Sequence, residues 1–242
     1  MIELEKNYIP TVWVTGATKG IGLATANAFA AIGCKVIVSG RNKNQLEINA
    51  GKIIDQGGFA LPVVCDVSSE RSVRSAMGTI LKRAGIVDVL VNNAGVTVFQ
   101  TFEKTTVKEF DSIVDTNLRG YFLTMKSVLI SMLKNKRGHI FNVHSVSATT
   151  VFSNSSVYSA SKAGSLALSR CVRHEVRKKG IRVVDVIPGA VETEMWSKQN
   201  RKRFHSKMMQ PEDIADAIVS LYCQPQRITT DEIIIRPVEG DL

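Results

Sequence analysis

This sequence predicts a doubly wound α/β domain: a parallel sheet of about seven strands with helices packed on both faces. Three observations predict it. Short runs rich in valine and isoleucine alternate with helix-length periodic segments, a glycine-rich turn joins the first run to the first helix, and no repeat or low-complexity stretch interrupts the alternation. Runs that read as buried on both faces are the pattern of parallel strands, because crossover helices cover such a sheet from either side.

The first strand is expected at Thr11 to Thr15 and the helix after the glycines at Gly20 to Ile32. Lys35 to Ser39 and Phe59 to Val64 follow as strands, separated by a helix at Lys43 to Gln56. A helix at Glu70 to Ala84 leads to a fourth strand at Val87 to Val91. One long helix is expected over Val107 to Asn135, then a strand at His139 to Val143, a helix at Ser156 to Lys179 and a strand at Arg182 to Ile187. Pro211 to Cys223 is the last helix and Glu232 to Arg236 the last strand. Between them, 192–210 is long, polar and basic, the composition of a mobile flap.

With 242 residues, 44% hydrophobic and 22% charged, the chain suits one domain spanning 1–242 with a sizeable core. Met1 to Pro10 carries Glu3, Glu5 and Lys6 and no apolar run, so neither a signal peptide nor a membrane span is expected there, and no other stretch reaches bilayer length. Cys34, Cys65, Cys171 and Cys223 lack metal-ligand spacing and read as reduced structural thiols of a cytoplasmic core. The net charge of +9 is mostly dispersed, which argues against nucleic acid as a partner. Its densest cluster, Lys198 to Lys207, reads as a solvated loop or as an anion-attracting cover over a site.

The glycine turn carries the first chemistry. Thr15-Gly16-Ala17-Thr18-Lys19-Gly20-Ile21-Gly22 follows a strand and opens a helix, so backbone can approach a pyrophosphate at the positive helix end. That makes Gly16, Thr18, Lys19, Gly20, Ile21 and Gly22 candidates for holding a dinucleotide on a Rossmann-type fold. The second strand ends in Gly40-Arg41, where an NAD-binding chain is expected to place an Asp or Glu against the ribose 2′-hydroxyl. Two cations, Lys19 and Arg41, can instead meet a 2′-phosphate, which favours NADP(H) over NAD(H). Asp66 and Val67 after the third strand offer an acceptor for the adenine amino group. Asn92, Ala94 and Gly95 after the fourth bring amides and small residues to the carboxyl edge of the sheet, where such ligands bind.

Tyr158 and Lys162 stand four residues apart on one expected helix, and Ser145 lies thirteen residues before the tyrosine. Residues i and i+4 share a helix face, so an ammonium beside a phenol would lower the phenol's pKa from about 10. A serine hydroxyl facing the same point would hold a carbonyl oxygen while the tyrosine moves a proton. The spacing alone is common on amphipathic helices. Its place behind a dinucleotide turn gives it weight.

Assembled, Thr15 to Gly22, Asn92 to Gly95, Asn117, Ser145, Tyr158-x-x-x-Lys162 and Pro188-Gly189 with Thr193 resemble the short-chain dehydrogenase/reductase family, from about Thr11 to Arg236. The resemblance implies that Tyr158 is general acid or base, that Ser145 orients the carbonyl, and that Lys162 serves the tyrosine and the nicotinamide ribose. It also implies that the Asn117 backbone anchors a proton-relaying water and that Pro188, Gly189, Val191 and Thr193 hold the nicotinamide. It implies a small-molecule carbonyl or alcohol substrate, facing Ser147, Phe152 and Trp196 besides Ser145 and Tyr158, with Val96, Val146, Ala190, Met195 and Phe204 nearby. Subunit contacts through the two long helices would make a homodimer or homotetramer.

His144, where relatives carry serine or glycine, either packs or tunes polarity. A second reading is a 3-oxoacyl-carrier-protein reductase, for which Lys136, Arg137, Arg173 and Arg177 would add a basic docking face. His174 replaces the arginine often found at the carrier contact. A third reading is a non-catalytic NADPH sensor or scaffold, against which the intact acid/base set argues.

Overall fold

The computed structural model describes residues 8–240, so expectations placed on 1–7 and 241–242 lie outside the described residues. Seven strands form one parallel sheet in the order β3-β2-β1-β4-β5-β6-β7. They are β1 Thr11–Thr15, β2 Lys35–Gly40, β3 Phe59–Val64, β4 Val89–Asn92, β5 Gly138–Val143, β6 Ile181–Pro188 and β7 Glu232–Ile235. The order reverses between β1 and β4, which opens a crevice at their carboxyl ends.

Side chains alternate across the sheet and set up two apolar layers. Val12 and Val14 of β1 face a cluster holding Phe29, Val36, Val38, Ile214 and Ile218, while Trp13 and Ile37 face another holding Ile80, Tyr121, Val128 and Ile140. The first layer is closed by α1 Gly20–Ala31, α2 Lys43–Asp55 and, at the far end of the chain, the Pro211–Tyr222 helix; Phe29 and Tyr222 meet edge to face at 5.4 Å. α3, Glu70–Arg83, and the later long helices close the other. Ser69 caps α3 by accepting from the Ser72 amide. Cys34 and Cys65 are core residues as expected, whereas Cys171 and Cys223 are exposed, because their helix positions turn outward.

Two elements differ from the sequence expectation. The helix expected over 107–135 is three pieces: α4 Val107–Val114, a wide π turn Asp115–Arg119, and α5 Gly120–Asn135. The turn carries Asn117, which is fully buried and spends its amide on the strand-end backbone: Val96 N donates to Oδ1, and Nδ2 donates to the Val96 carbonyl, each at 2.9 Å. An extra residue in a helical turn commonly re-aims a side chain in this way. The other difference lies in 192–210. There Ser197 caps a short helix, α7 Lys198–Phe204, and 191 pairs with 209, so both ends of the segment are tied to the body. α6, Ser156–Val176, and α8, Pro211–Tyr222, stand as expected, with Pro211 at a helix start where its missing amide costs nothing.

On α4 and α5, Val107, Phe110, Phe122 and Ile130 remain exposed, an uncovered apolar face where the expected subunit contact falls. Among the described residues, no helix is long and apolar enough to cross a membrane.

Candidate active site

The carboxyl ends of β1, β4, β5 and β6 open into a cavity of about 730 Å³. Its lining holds Gly16, Thr18, Lys19, Gly20, Ile21, Arg41, Asp66, Val67, Ala94 and Gly95. It also holds Ser145, Ser147, Phe152, Tyr158, Lys162, Pro188, Gly189, Val191, Thr193 and Trp196, with Thr193 against Gly20 and Gly95 near Lys162. The topology therefore brings together segments 180 residues apart in sequence on one crevice, and nearly all the expected site residues share it.

Three of the expected cofactor and catalytic residues do not line the cavity. Gly22 sits behind the turn: a Cβ there would stand 2.4 Å from Asn93 Nδ2 and 2.5 Å from the Gly16 carbonyl, so the glycine lets helix and strand close on each other. Asn92 is committed inside the sheet, donating to Asn142 Oδ1 at 2.9 Å and accepting from the Thr124 hydroxyl at 2.6 Å. Its neighbour Asn93 faces the cavity instead and donates to the Thr15 and Gly16 carbonyls. Asn117 lies one layer deeper, where Nδ2 also donates to Ser161 Oγ at 3.0 Å. Phe204 is absent from the lining as well; Arg203 stands 5.0 Å over its ring.

At the reactive end, Ser145 caps a single 3₁₀ turn, Val146–Ala148, just beyond β5. Its Oγ accepts from the Ser147 amide and donates to Ser147 Oγ, both at 3.2 Å, so the second serine fixes the first. Tyr158 and Lys162 lie on the first turns of α6, both buried. Lys162 Nζ donates to the Val143 carbonyl at 2.9 Å and to Tyr121 Oη at 3.3 Å, and stands 5.9 Å from the centre of the Tyr158 ring. Tyr121, on α5, is a residue that sequence reasoning missed. Nothing in its local pattern distinguishes it from an ordinary core aromatic.

Electrostatics here follow burial. Burial pushes the Tyr158 phenol up to about 12, with the Ser145 hydroxyl drawing it back, and pulls the Lys162 ammonium down to about 7. The lowering of the tyrosine pKa expected from the lysine is not found: Nζ is directed at Val143 and Tyr121, and burial raises the phenol instead. His144 packs rather than faces the cavity with its ring: it contacts Ser165 Oγ at 3.0 Å and Asp185 Oδ1 at 2.9 Å, and burial holds its pKa below the usual value despite Asp185.

At the phosphate end, Gly16 has φ +65°, and a Cβ on it would stand 2.8 Å from Ala94 Cα. Lys19 is paired with Glu194, which sequence reasoning did not single out, while no carboxylate pairs with Arg41 among the described residues. Asp66 accepts from Ser68 N at 3.1 Å and Ser68 Oγ at 2.7 Å, so one of its oxygens shapes the loop after β3.

A family model described as short chain dehydrogenase matches residues 10–203. The chain belongs to that family. A sepiapterin reductase from Chlorobaculum tepidum is 38% identical, over 95% of this chain and 96% of the relative. A metagenomic short-chain oxidoreductase solved with NADP superposes with a TM-score of 0.84 at 30% identity, over 95% of this chain and 97% of the other. An alcohol dehydrogenase from the archaeon Thermococcus sibiricus, complexed with 5-hydroxy-NADP, gives 0.89 at 27% identity over 97% and 99%. The chain is a short-chain dehydrogenase by sequence and by fold, and so an oxidoreductase.

The cradle of this short-chain dehydrogenase fits a dinucleotide on its own geometry. Positive φ at Gly16 and Gly20 turns the chain into a helix start that lines the cavity, where a pyrophosphate would lie, and Lys19 and Arg41 line it too. The four cations expected for a carrier-protein face, Lys136, Arg137, Arg173 and Arg177, lie around the amino ends of the strands, at the edge opposite Ser145.

The buried lysine has a consequence for stability. The native chain releases the Lys162 proton near pH 7, whereas an unfolded lysine keeps it to about 10. Below pH 7 both states carry the proton and the native state bears the burial cost; between about 7 and 10 the unfolded state binds more protons, so stability rises with pH. Without coenzyme, wild type is expected to gain stability over Lys162→Met as pH goes from 7 to 9 in urea titrations. Parallel pH profiles for the two proteins would contradict it.

Proposed function

We propose that this short-chain dehydrogenase reduces a ketone to a secondary alcohol with NADPH, and that the ketone is borne by a planar heterocycle of the sepiapterin type. The observation that carries the reading is one cavity lined both by Ser145, Tyr158 and Lys162 and by Lys19 and Arg41. The solved neighbours bound to NADP and to 5-hydroxy-NADP support the coenzyme. The Chlorobaculum relative supports the substrate class.

Bound NADPH supplies the hydride. The chain's own residues do the rest. Ser145, held by Ser147, donates a hydrogen bond to the carbonyl oxygen, and Tyr158 gives that oxygen its proton as charge develops. A phenol kept protonated through neutral pH by burial suits the reductive direction. Lys162, anchored by Val143 and Tyr121, holds the ribose and returns a proton to Tyr158 through water at the Asn117 backbone. The asparagine side chain is already spent on Val96 and Ser161, which leaves that role to the main chain.

Aromatic rings favour the planar substrate. Phe99 and Trp196 stack with centroids 5.8 Å apart, and Phe99 lies 6.3 Å from Tyr158, so a wall of rings runs along the reactive end. The carrier-protein reading loses support because its four cations lie at the other edge of the sheet.

With NADPH, turnover of sepiapterin is expected to exceed that of an acetoacetyl thioester by kcat/KM, and Tyr158→Phe to lower kcat by about 10²–10⁴ while sparing NADPH affinity. Preference for the thioester would reverse the substrate assignment, and undiminished turnover in the variant would sink the mechanism. Arg41→Ala should weaken NADPH about tenfold or more, the scale of one charge-assisted bond, and leave NADH within about twofold. Equal losses in fluorescence titrations would remove the 2′-phosphate from the argument.

A further inference from the structure

A second cavity, of about 510 Å³, lies around the amino ends of β1, β5 and β6, at the opposite edge of the sheet from the active site. Its size falls within the ~300–1,000 Å³ range of small-molecule sites. Six cationic side chains line it, Lys136, Arg137, Arg173, Arg177, Arg182 and Arg227, against two lining carboxylates, Asp88 and Asp231, with Asp185 and Glu232 pairing Arg173 from outside the lining.

The carboxylates are already taken. Asp88 accepts from Arg137 at 2.8 Å and from the Tyr8 hydroxyl, and Asp231 takes Arg177 at 2.6 Å and Arg173 at 3.6 Å. Lys136, Arg182 and Arg227 then have no carboxylate within ion-pair distance among the described residues. Arg182 is the telling one: half-buried, it donates to the Pro225 carbonyl at 3.4 Å, and burial lowers its pKa with nothing opposing. A cation drawn partly out of water without a counter-charge is costly unless something anionic meets it.

Arg173 Nε, His139 Nδ1 and Thr229 Oγ1, buried polar atoms of lining residues, lack partners among the described residues, but each is closed to solvent and lies behind the cavity wall rather than on it. Arg173 itself is only 7% exposed.

We propose that this cavity binds a compact oxyanion with at least two negative charges, a phosphorylated small molecule or a polycarboxylate, gripped by Arg182 and Arg227 with Lys136 adding charge beside them. Guanidinium forks match phosphate and carboxylate oxygens alike, which is why the chemistry is shared.

The test is calorimetric titration of the full chain, saturated with NADP⁺ so that the glycine turn is occupied, with pyrophosphate and separately with citrate at constant ionic strength. One site is expected, weakened about tenfold or more by Arg182→Gln, in keeping with the loss of a charge-assisted contact. Should that variant fold poorly, Arg227→Gln, at an exposed position, is expected to weaken it several-fold. Tighter binding of pyrophosphate identifies a phosphorylated ligand, tighter binding of citrate a polycarboxylate. Absence of millimolar binding by the wild type, equal binding by folded Arg182→Gln and Arg227→Gln, or loss on Arg41→Gln instead would overturn the proposal.

Discussion

The Lys162 ammonium is the constraint around which the reactive end is built. It is 3% exposed, and a cation so placed needs acceptors close by. The Val143 carbonyl and Tyr121 hydroxyl supply them, and each demands something of the fold. Val143 must end β5 with its carbonyl turned towards α6, which places Ser145 two residues on at the cavity wall. Tyr121 must enter from α5, which the π turn at Asp115–Arg119 re-aims while directing Asn117 at Val96. Gly95 completes the fit: a Cβ there would stand 3.5 Å from Asn117 Oδ1 and 3.7 Å from Lys162 Nζ, ordinary contact distances, so the backbone passes as near as a small residue permits.

Behind this end lies a buried polar network that joins four elements. Asp185 of β6, fully buried, accepts from Ser169 and Arg173 of α6 and meets His144 beyond β5, while Arg173 reaches on to Glu232 of β7 at 3.4 Å. Asn142 extends it, donating to Ser169 at 2.8 Å and accepting from Asn92 at 2.9 Å. Removing one member of such a set leaves a buried charge or donor unpaired, which is far more costly than the net worth of any one bond. The network therefore fixes β5, β6 and α6 in register, and His144 belongs to that scaffold.

Much of this was legible in the chain. Valine and isoleucine runs marked the strands within a residue or two, because both-face burial leaves no polar alternation to confuse the reading. The glycine turn, Ser145, Tyr158 and Lys162, which the fold gathers on one cavity, were singled out because each stands in a fixed local spacing. Tyr121, Phe99 and Glu194 were not, since each acts through a partner 41, 97 or 175 residues away and carries no local pattern. Asn92 and Asn93 show the limit within a motif: alternate residues of a strand end face opposite ways, and only the fold says which amide meets the cavity.

The pairing of Lys19 with Glu194 bears on how the phosphate end is read. Both side chains are more than half exposed, and an exposed pair of this kind is worth about 0–1 kcal/mol. A charge-assisted bond from Lys19 to a phosphate contributes about 1.5–3 kcal/mol, so the carboxylate can be displaced without reversing the balance. Glu194 lies at the start of the 192–210 segment, whose far side is tied down by Glu192 accepting from His205 and Gln210. Exchange of Lys19 between Glu194 and a phosphate would thus shift charge at the edge of the segment while leaving its anchors intact. Arg41, without a carboxylate to surrender among the described residues, bears no such competition, so under the proposed function the weight of charge recognition would fall on it.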